Sequence, residues 1–280
     1  MPSSLPPSMD AVPHASTPTR TSSARFWILF ALGLLALFSA IAVKIPFCAR
    51  LLPALMITLA FAVVARVLAS VTGSGAAAGF LVTSMLLVTS GPAMFVAALL
   101  VFVLTLLATK FGKKRKQSLR IAERSGGRDG AQVMANVGIS AIFAVLSAIT
   151  SRRLPLLVGS LAALAEAACD TVSSETGKAL ALQARLVTSG RLVPAGTDGA
   201  ISIPGTLLGV GAAALVALEA MIAGLIDLRR ALIVAAAGTL GMFLDSLLGA
   251  TLERRGRFTN NAVNFVSTLA AALLATTLTW

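Results

Sequence analysis

Runs of some twenty apolar residues, separated by short polar breaks, constrain this chain more than any other feature. They fall at about 26–43, 51–69, 76–90, 93–109, 131–150, 154–170, 204–226, 231–250 and 261–279. Roughly 20 apolar residues are what a helix needs to cross the hydrocarbon core of a bilayer. Inside that core every backbone polar group must be satisfied within its own segment, so each run predicts a helix. The apolar set makes up 57% of the 280 residues and the charged set only 12%, about half the ~25% charged share of a soluble domain. A water-soluble fold of this size could not hide so much apolar side chain. The expected fold class is all-α: a polytopic transmembrane bundle of about seven to nine spans. The break at Gly91-Pro92 leaves three readings of 76–109: one kinked span, a re-entrant pair, or two short helices.

Residues 1–24 hold six Ser, five Pro and three Thr with few large apolar side chains, a composition that predicts a disordered tail. Residues 25–280 then read as a single integral membrane domain. Its largest non-apolar stretch, 171–203, reads as a half-embedded segment.

The charge of +12 is uneven. Between 110 and 128 stand Lys110, Lys113, Lys114, Arg115, Lys116, Arg120, Arg124 and Arg128, with Glu123 the sole acid. Flanked by membrane spans, this basic loop (110–130) signals a cytoplasmic side and attraction to anionic headgroups, not a nucleic-acid partner. Counting spans from it places 171–203 and Arg254, Arg255 and Arg257 on the same side. Only Arg152-Arg153 and Arg229-Arg230 fall opposite. An integral protein of a bacterial plasma membrane, its polar site facing the cytoplasm, is the expected setting.

Polar chemistry is scarce. The one histidine, His14, lies in the tail, there is no tyrosine, and Cys48 and Cys169 are far apart. Zinc and haem sites, Ser-His-Asp triads and Cys-His dyads are excluded on that inventory. The cysteines read as buried small residues rather than a disulfide. What remains is carboxylates, cations, hydroxyls, amides and backbone.

An aspartate at the centre of a membrane helix costs about 2.5–3.5 kcal/mol to insert, so acids in spans call for a reason. Here they are Glu166, Asp170, Glu175, Glu219 and Asp245. On a helix, Glu166, Asp170, Ser173 and Gly177 share a sector of about 60°, with Ser174 beside it. Glu175 points nearly opposite and joins Asp170 only if the helix breaks or faces a crevice. Carboxylates plus hydroxyls suit a hard cation such as magnesium. In the turn Gly196-Thr197-Asp198-Gly199, backbone amides ahead of a span could cradle phosphate. The plainer reading is turn glycines with Ser202 as the helix cap. Gly238, Gly241, Asp245 and Gly249 form a small-residue face that puts Asp245 in a helix–helix seam. Arg128, Gln132 and Asn136 make one further polar stripe, and Asn260, Asn264 and Ser267 another. The counted topology brings all of them to one membrane side. The polar site segments are therefore 126–138, 166–206 and 241–264.

The motifs GGRDGAQVMANVG (126–138), CDTVSSETG (169–177), GTDGAISIPGT (196–206) and LDSLLGATLERRG (244–256) with NNAVNF (260–265) occur in that order. Over roughly residues 50–280 the chain resembles the domain of unknown function 92 family, which includes transmembrane protein 19 and the phytyl-phosphate kinase of plants and cyanobacteria. It departs from the family pattern at Val172, where a tryptophan is expected, and at Asp198, where an asparagine is. The resemblance implies transfer of a phosphoryl group from CTP or ATP to an isoprenoid (phytyl or prenyl) monophosphate. With it goes an assignment of roles. Asp170, Glu175 and Asp245 would hold Mg2+, and Arg128 and Lys178 would act with them on the transferring phosphates. Substrate would be bound by Gln132, Asn136, Ser173, Ser174, Gly196, Thr197, Asp198, Gly199, Arg254, Arg255, Asn260 and Asn264. A transporter or flippase of a lipid phosphate is the competing class, since intramembrane acids and Gly-rich helix breaks are transporter features too. The expected internal inverted repeat is missing, and the polar residues cluster at span ends. A non-catalytic scaffold is the third reading.

Overall fold

A computed structural model describes residues 48–119, 121 and 126–280. The tail 1–24 and the run 26–43 lie outside the described residues. Within them the chain forms α1 (Cys48–Val67), α2 (Gly73–Ser90), α3 (Pro92–Lys110), the short α4 (Lys113–Ser118), α5 (Gly130–Ile149) and α6 (Arg153–Leu180). Strands β1 (Gln183–Leu186), β2 (Leu192–Pro194) and β3 (Ala200–Ile201) come next, then α7 (Ile203–Ile222), α8 (Leu228–Leu248), a π turn (Gly249–Glu253) and α9 (Asn260–Leu278). Seven of these segments are long and apolar enough to cross a membrane, and α1 adds a shorter apolar helix.

The break at Gly91 resolves into two helices. Gly91 takes φ +88°, and Pro92 opens α3 at its first turn, where a missing N–H costs nothing. The two helices run out and back. Arg128 N donates to Ser70 O, and Thr72 N to Arg128 O, each at 3.0 Å, so the chain entering α2 meets the chain that has left α3. This same end of the bundle gathers α4, the β strands and the π turn; it is called the polar end below.

α6 is the hub. Its 28 residues extend ~42 Å and pack against α3, α5, α7, α8 and α9. Of its most apolar window 89% is buried, against 22% for α3. A helix surrounded by protein can carry polar side chains that a lipid-facing helix cannot, and α6 carries Glu166, Asp170, Ser173 and Glu175. The outer helices turn Leu52, Met56, Leu59, Leu107, Leu207, Leu232 and Leu240 outward, as a surface solvated by acyl chains requires. Close helix packing comes from the small-residue face of α8. A Cβ at Gly238 would crowd the Ala165–Glu166 backbone at 2.9 Å, and one at Gly241 the Glu166 Cγ at 2.5 Å. Cys169 is buried and free.

The region 171–203, expected as a half-embedded segment, divides between helix and sheet. α6 continues to Leu180, after which the chain forms a three-stranded antiparallel sheet of order β2-β1-β3, with Arg185 opposite both Leu192 and Ile201. Its strands are two to four residues long, too short for an alternating pattern to stand out in the sequence. At the opposite end Arg152 stacks on Trp280 at 3.4 Å, an amphipathic pair suited to a membrane interface.

Candidate functional site at the polar end

The polar end holds a cavity of about 400 Å³ whose walls are side chains from α5, α6, the β3 approach, α8, the π turn and α9. Each wall has a local cause. Asp129 caps α5 by accepting from Gln132 N (2.9 Å), and Gln132 Oε1 accepts from Asp129 N (3.0 Å). This capping box fixes the first turn of α5, which presents Gln132 and Asn136. Ser202 caps α7 through Gly205 N at 3.2 Å, as the sequence suggests, and so ends the Gly-rich turn at the cavity wall. Gly199, at φ +71°, lies so close to the π turn that a Cβ would overlap the Ala250 backbone. Only glycine fits there, both by conformation and by space.

On the floor a polar network joins three helices. With its amide oriented so that every partner is satisfied, Asn264 donates to Asp245 Oδ2 at 3.0 Å and to Asn260 O at 3.2 Å, while its Oδ1 accepts from Asn136 Nδ2 at 3.1 Å. Ser267 Oγ donates to Asp245 Oδ2 at 3.3 Å. Asp170 lines the same floor from α6, in a cavity that Arg128 and Lys178 also line. Arg128 Nη2 donates to Thr171 Oγ1 at 3.5 Å. One turn deeper Glu166 is 1% exposed, and its Oε1 has no hydrogen-bond partner among the described residues.

The charge balance of the lining is informative. Asp170, Glu175, Asp198, Asp245 and Glu253 face two cations, Arg128 and Lys178. A pocket with that excess of carboxylates repels phosphate unless cations enter with it. Among the described residues no three Asp, Glu, His or Cys side chains close a metal cage. An open arrangement of two carboxylates, Asp170 and Asp245, with hard amide oxygens nearby fits magnesium, which is held by one or two carboxylates and completed by phosphate oxygens and water.

A second cavity, of about 550 Å³, adjoins the first. It is lined mainly by apolar residues of α1, α2 and α3, among them Phe61, Val82, Val101 and Phe102, and it shares Arg128 and Asn136 with the polar cavity. Lys110, Lys113 and Gln117 add polar groups to its lining.

Residues 56–272 match the family described as "Integral membrane protein DUF92". The chain belongs to this family. An uncharacterised membrane protein of Methanocaldococcus jannaschii is 35% identical over 174 residues, 62% of this chain and 71% of that protein. "Protein VTE6, chloroplastic" of Arabidopsis thaliana is 30% identical over 216 residues, covering 73% of this chain and 64% of that protein. "Protein PGR" of the same plant is 31% identical over 252 residues, covering 72% and 86%. No solved structure matches the chain.

In this DUF92 chain the structure brings most of the sequence-predicted site residues into one cavity. Asp170, Glu175, Asp245, Arg128, Lys178, Gln132, Asn136, Ser173, Ser174, Gly196, Thr197, Asp198, Gly199, Asn260 and Asn264 all line it. Arg254 and Arg255 do not. They follow the π turn and are exposed, outside the lining. Some lining residues do other work as well: the Gln132 oxygen closes the capping box, and Thr197 Oγ1 donates to Pro194 O at 2.8 Å within its own turn. Glu175, expected as a magnesium ligand, lines the cavity with its carboxylate engaged by lysines. α6 is continuous, so Glu175 lies ~140° around from Asp170, and the cavity wraps the helix far enough to reach both. Its two oxygens accept from Lys116 Nζ (2.6 Å) and Lys178 Nζ (3.0 Å). Lys116, Glu253, Asn261 and Ser246 were missed from sequence. Ser246, Glu253 and Asn261 lie inside the motifs quoted above without an assigned role, while nothing in the sequence separates Lys116 from its basic neighbours.

Proposed function

We propose that the chain is a membrane-embedded lipid-phosphate kinase. It transfers a phosphoryl group from CTP or ATP to an isoprenoid monophosphate, with magnesium. The carrying observation is the pair of neighbouring cavities, one polar and one apolar, with Arg128 and Asn136 in both linings. A molecule with a phosphate head and a branched hydrocarbon tail matches that division: the tail in the groove of α1–α3, the phosphate at Arg128, and the donor triphosphate toward the 196–199 turn.

Phosphoryl transfer needs alignment and charge neutralisation more than acid–base groups, so a site without histidine is chemically sufficient. An oxygen of the acceptor phosphate attacks the terminal phosphorus of the donor, the bridging P–O bond breaks, and the nucleoside diphosphate leaves with the bond's electron pair. Arg128 orients the acceptor phosphate, Lys178 neutralises charge on the transferring group, and the amides of the 196–199 turn other than that of Thr197, which donates to Pro194 O, hold the donor. Asp170 and Asp245 would hold magnesium, which would supply the remaining positive charge. The network of Asn136, Asn264 and Ser267 holds Asp245 in one orientation, as ligand-supporting hydrogen bonds do. Basic residues of the polar end outnumber those of the other end, Arg152, Arg153, Arg229 and Arg230, and on the positive-inside rule the cavity faces the cytoplasm of a bacterial plasma membrane.

The test is turnover by the purified protein in detergent. It is offered phytyl, geranylgeranyl and farnesyl monophosphates with magnesium and CTP or ATP, beside Asp170→Asn. Diphosphate formed by the wild type and lost in the variant supports the kinase. No product from folded protein with any pair rejects it and turns attention to lipid-phosphate flux in liposomes.

A further inference from the structure

Two lysines from different parts of the chain meet on Glu175, and their surroundings differ. Lys116, on α4, is 1% exposed. Its ammonium donates to Glu175 Oε2 at 2.6 Å and to the carbonyls of Ala108 (3.1 Å) and Thr109 (2.8 Å). Those carbonyls belong to the last turn of α3, where a helix leaves acceptors unpaired and favours positive charge. All three protons of Lys116 are therefore used, and a buried charge is matched by a buried partner. Lys178, one helical turn beyond Glu175, donates to Oε1 at 3.0 Å but keeps 24% side-chain exposure and lines the polar cavity. A divalent cation on Glu175 would sit against two ammonium groups.

We propose that Glu175 is a positioning residue and not a cation ligand: through Lys116 it anchors α4 and the end of α3 to α6, and through Lys178 it holds an ammonium at the cavity wall for phosphate. The second half rests on reading the cavity as a phosphate site; the first does not. The neighbouring geometry supports the anchor. Arg115 Nη2 donates to Ala181 O at 3.2 Å, and Gly112 packs on Ala179 so closely that a Cβ would come within 2.7 Å of its side chain. The chain from α3 to α4 thus crosses the end of α6 at three points, with the ion pair the buried one.

The experiment uses the full chain in detergent with Glu175→Gln, Lys116→Met and the double variant. Three measurements are taken: amide hydrogen exchange in 113–119, Mn2+ affinity by electron paramagnetic resonance, and inorganic pyrophosphate affinity by calorimetry in the presence of Mg2+. Expected for each single variant is exchange in 113–119 faster by tenfold or more, with the double variant less perturbed than the two effects combined. In Glu175→Gln, Mn2+ affinity stays within threefold and pyrophosphate affinity falls by tenfold or more. Loss of Mn2+ affinity by tenfold with exchange unchanged would make Glu175 a cation ligand and overturn the proposal. Unchanged exchange in both single variants overturns the anchor. A wild type that binds no pyrophosphate fails the phosphate reading and removes the Lys178 half, while the exchange data still decide the anchor. If Lys116→Met does not fold, Lys116→Arg, which keeps the charge, takes its place; exchange slower than in Glu175→Gln is then expected.

Discussion

Arg128 lines both cavities, so changing it should damage recognition of one substrate and spare the other. Its backbone is fixed independently of its side chain, by bonds to Ser70 and Thr72, so Arg128→Ala and Arg128→Lys alter the guanidinium without loosening the loop. A hydrogen bond to a charged group contributes about 1.5–3 kcal/mol. At 1.4 kcal/mol per decade this is roughly 10- to 150-fold in kcat/KM. Arg128→Ala should lose about 100-fold in kcat/KM for the isoprenoid phosphate. Arg128→Lys keeps the charge but not the planar fork and should lose about tenfold. The nucleotide is assigned to the 196–199 side, so its half-saturation should move less than about threefold at saturating lipid. Steady-state kinetics in detergent, varying each substrate at saturating levels of the other, separates these outcomes. Equal losses toward both substrates, or an Arg128→Ala enzyme as active as wild type, would refute the placement of the acceptor phosphate between the cavities.

Gly79 lines the apolar groove, and a Cβ there meets nothing within 4 Å. Gly79→Leu should therefore fill the groove without strain, leave thermal stability equal or higher because leucine favours helix by about 0.8 kcal/mol over glycine, and cut kcat/KM more for twenty-carbon than for fifteen-carbon phosphates. Gly241→Leu, by contrast, drives a side chain into Glu166 and α9 and should destabilise by about 1–3 kcal/mol, read as a lower thermal midpoint. Asp245→Asn keeps an acceptor for Asn264 and Ser267 while removing the charge; activity should fall about 10²–10³-fold with the fold intact by circular dichroism, and near-wild-type turnover would exclude Asp245 as a magnesium ligand.

The polar end was legible because its residues are expensive where they stand. Asp170, Asp245, Asn136 and Asn264 lie in apolar runs, so their helical spacing singles them out before any packing is known. The glycine face of α8 was legible for the related reason that Gly238 and Gly241 weaken a helix unless a neighbour fills the space. Glu175 was harder. Its angle on α6 is fixed by sequence, but its partner is not: Lys116 lies 59 residues away in a run of interchangeable lysines and arginines. The small sheet was hidden for a third reason, since its strands are too short to show a period.

Sequence by itself determined the solvent of this protein, the helical class, most of the described spans and the gathering of the polar residues at one end of them. All of these follow from hydropathy and periodicity, which are local properties summed along a helix. Only the tertiary structure decided that α6 is the hub, that α2 and α3 form an out-and-back pair, that a groove lined by α1, α2 and α3 shares Arg128 and Asn136 with the polar cavity, and that Glu175 belongs to two lysines. Those depend on which side chains pack beside one another across the bundle, and in an apolar solvent helix pairing is set by shape and polar complementarity rather than by hydrophobicity.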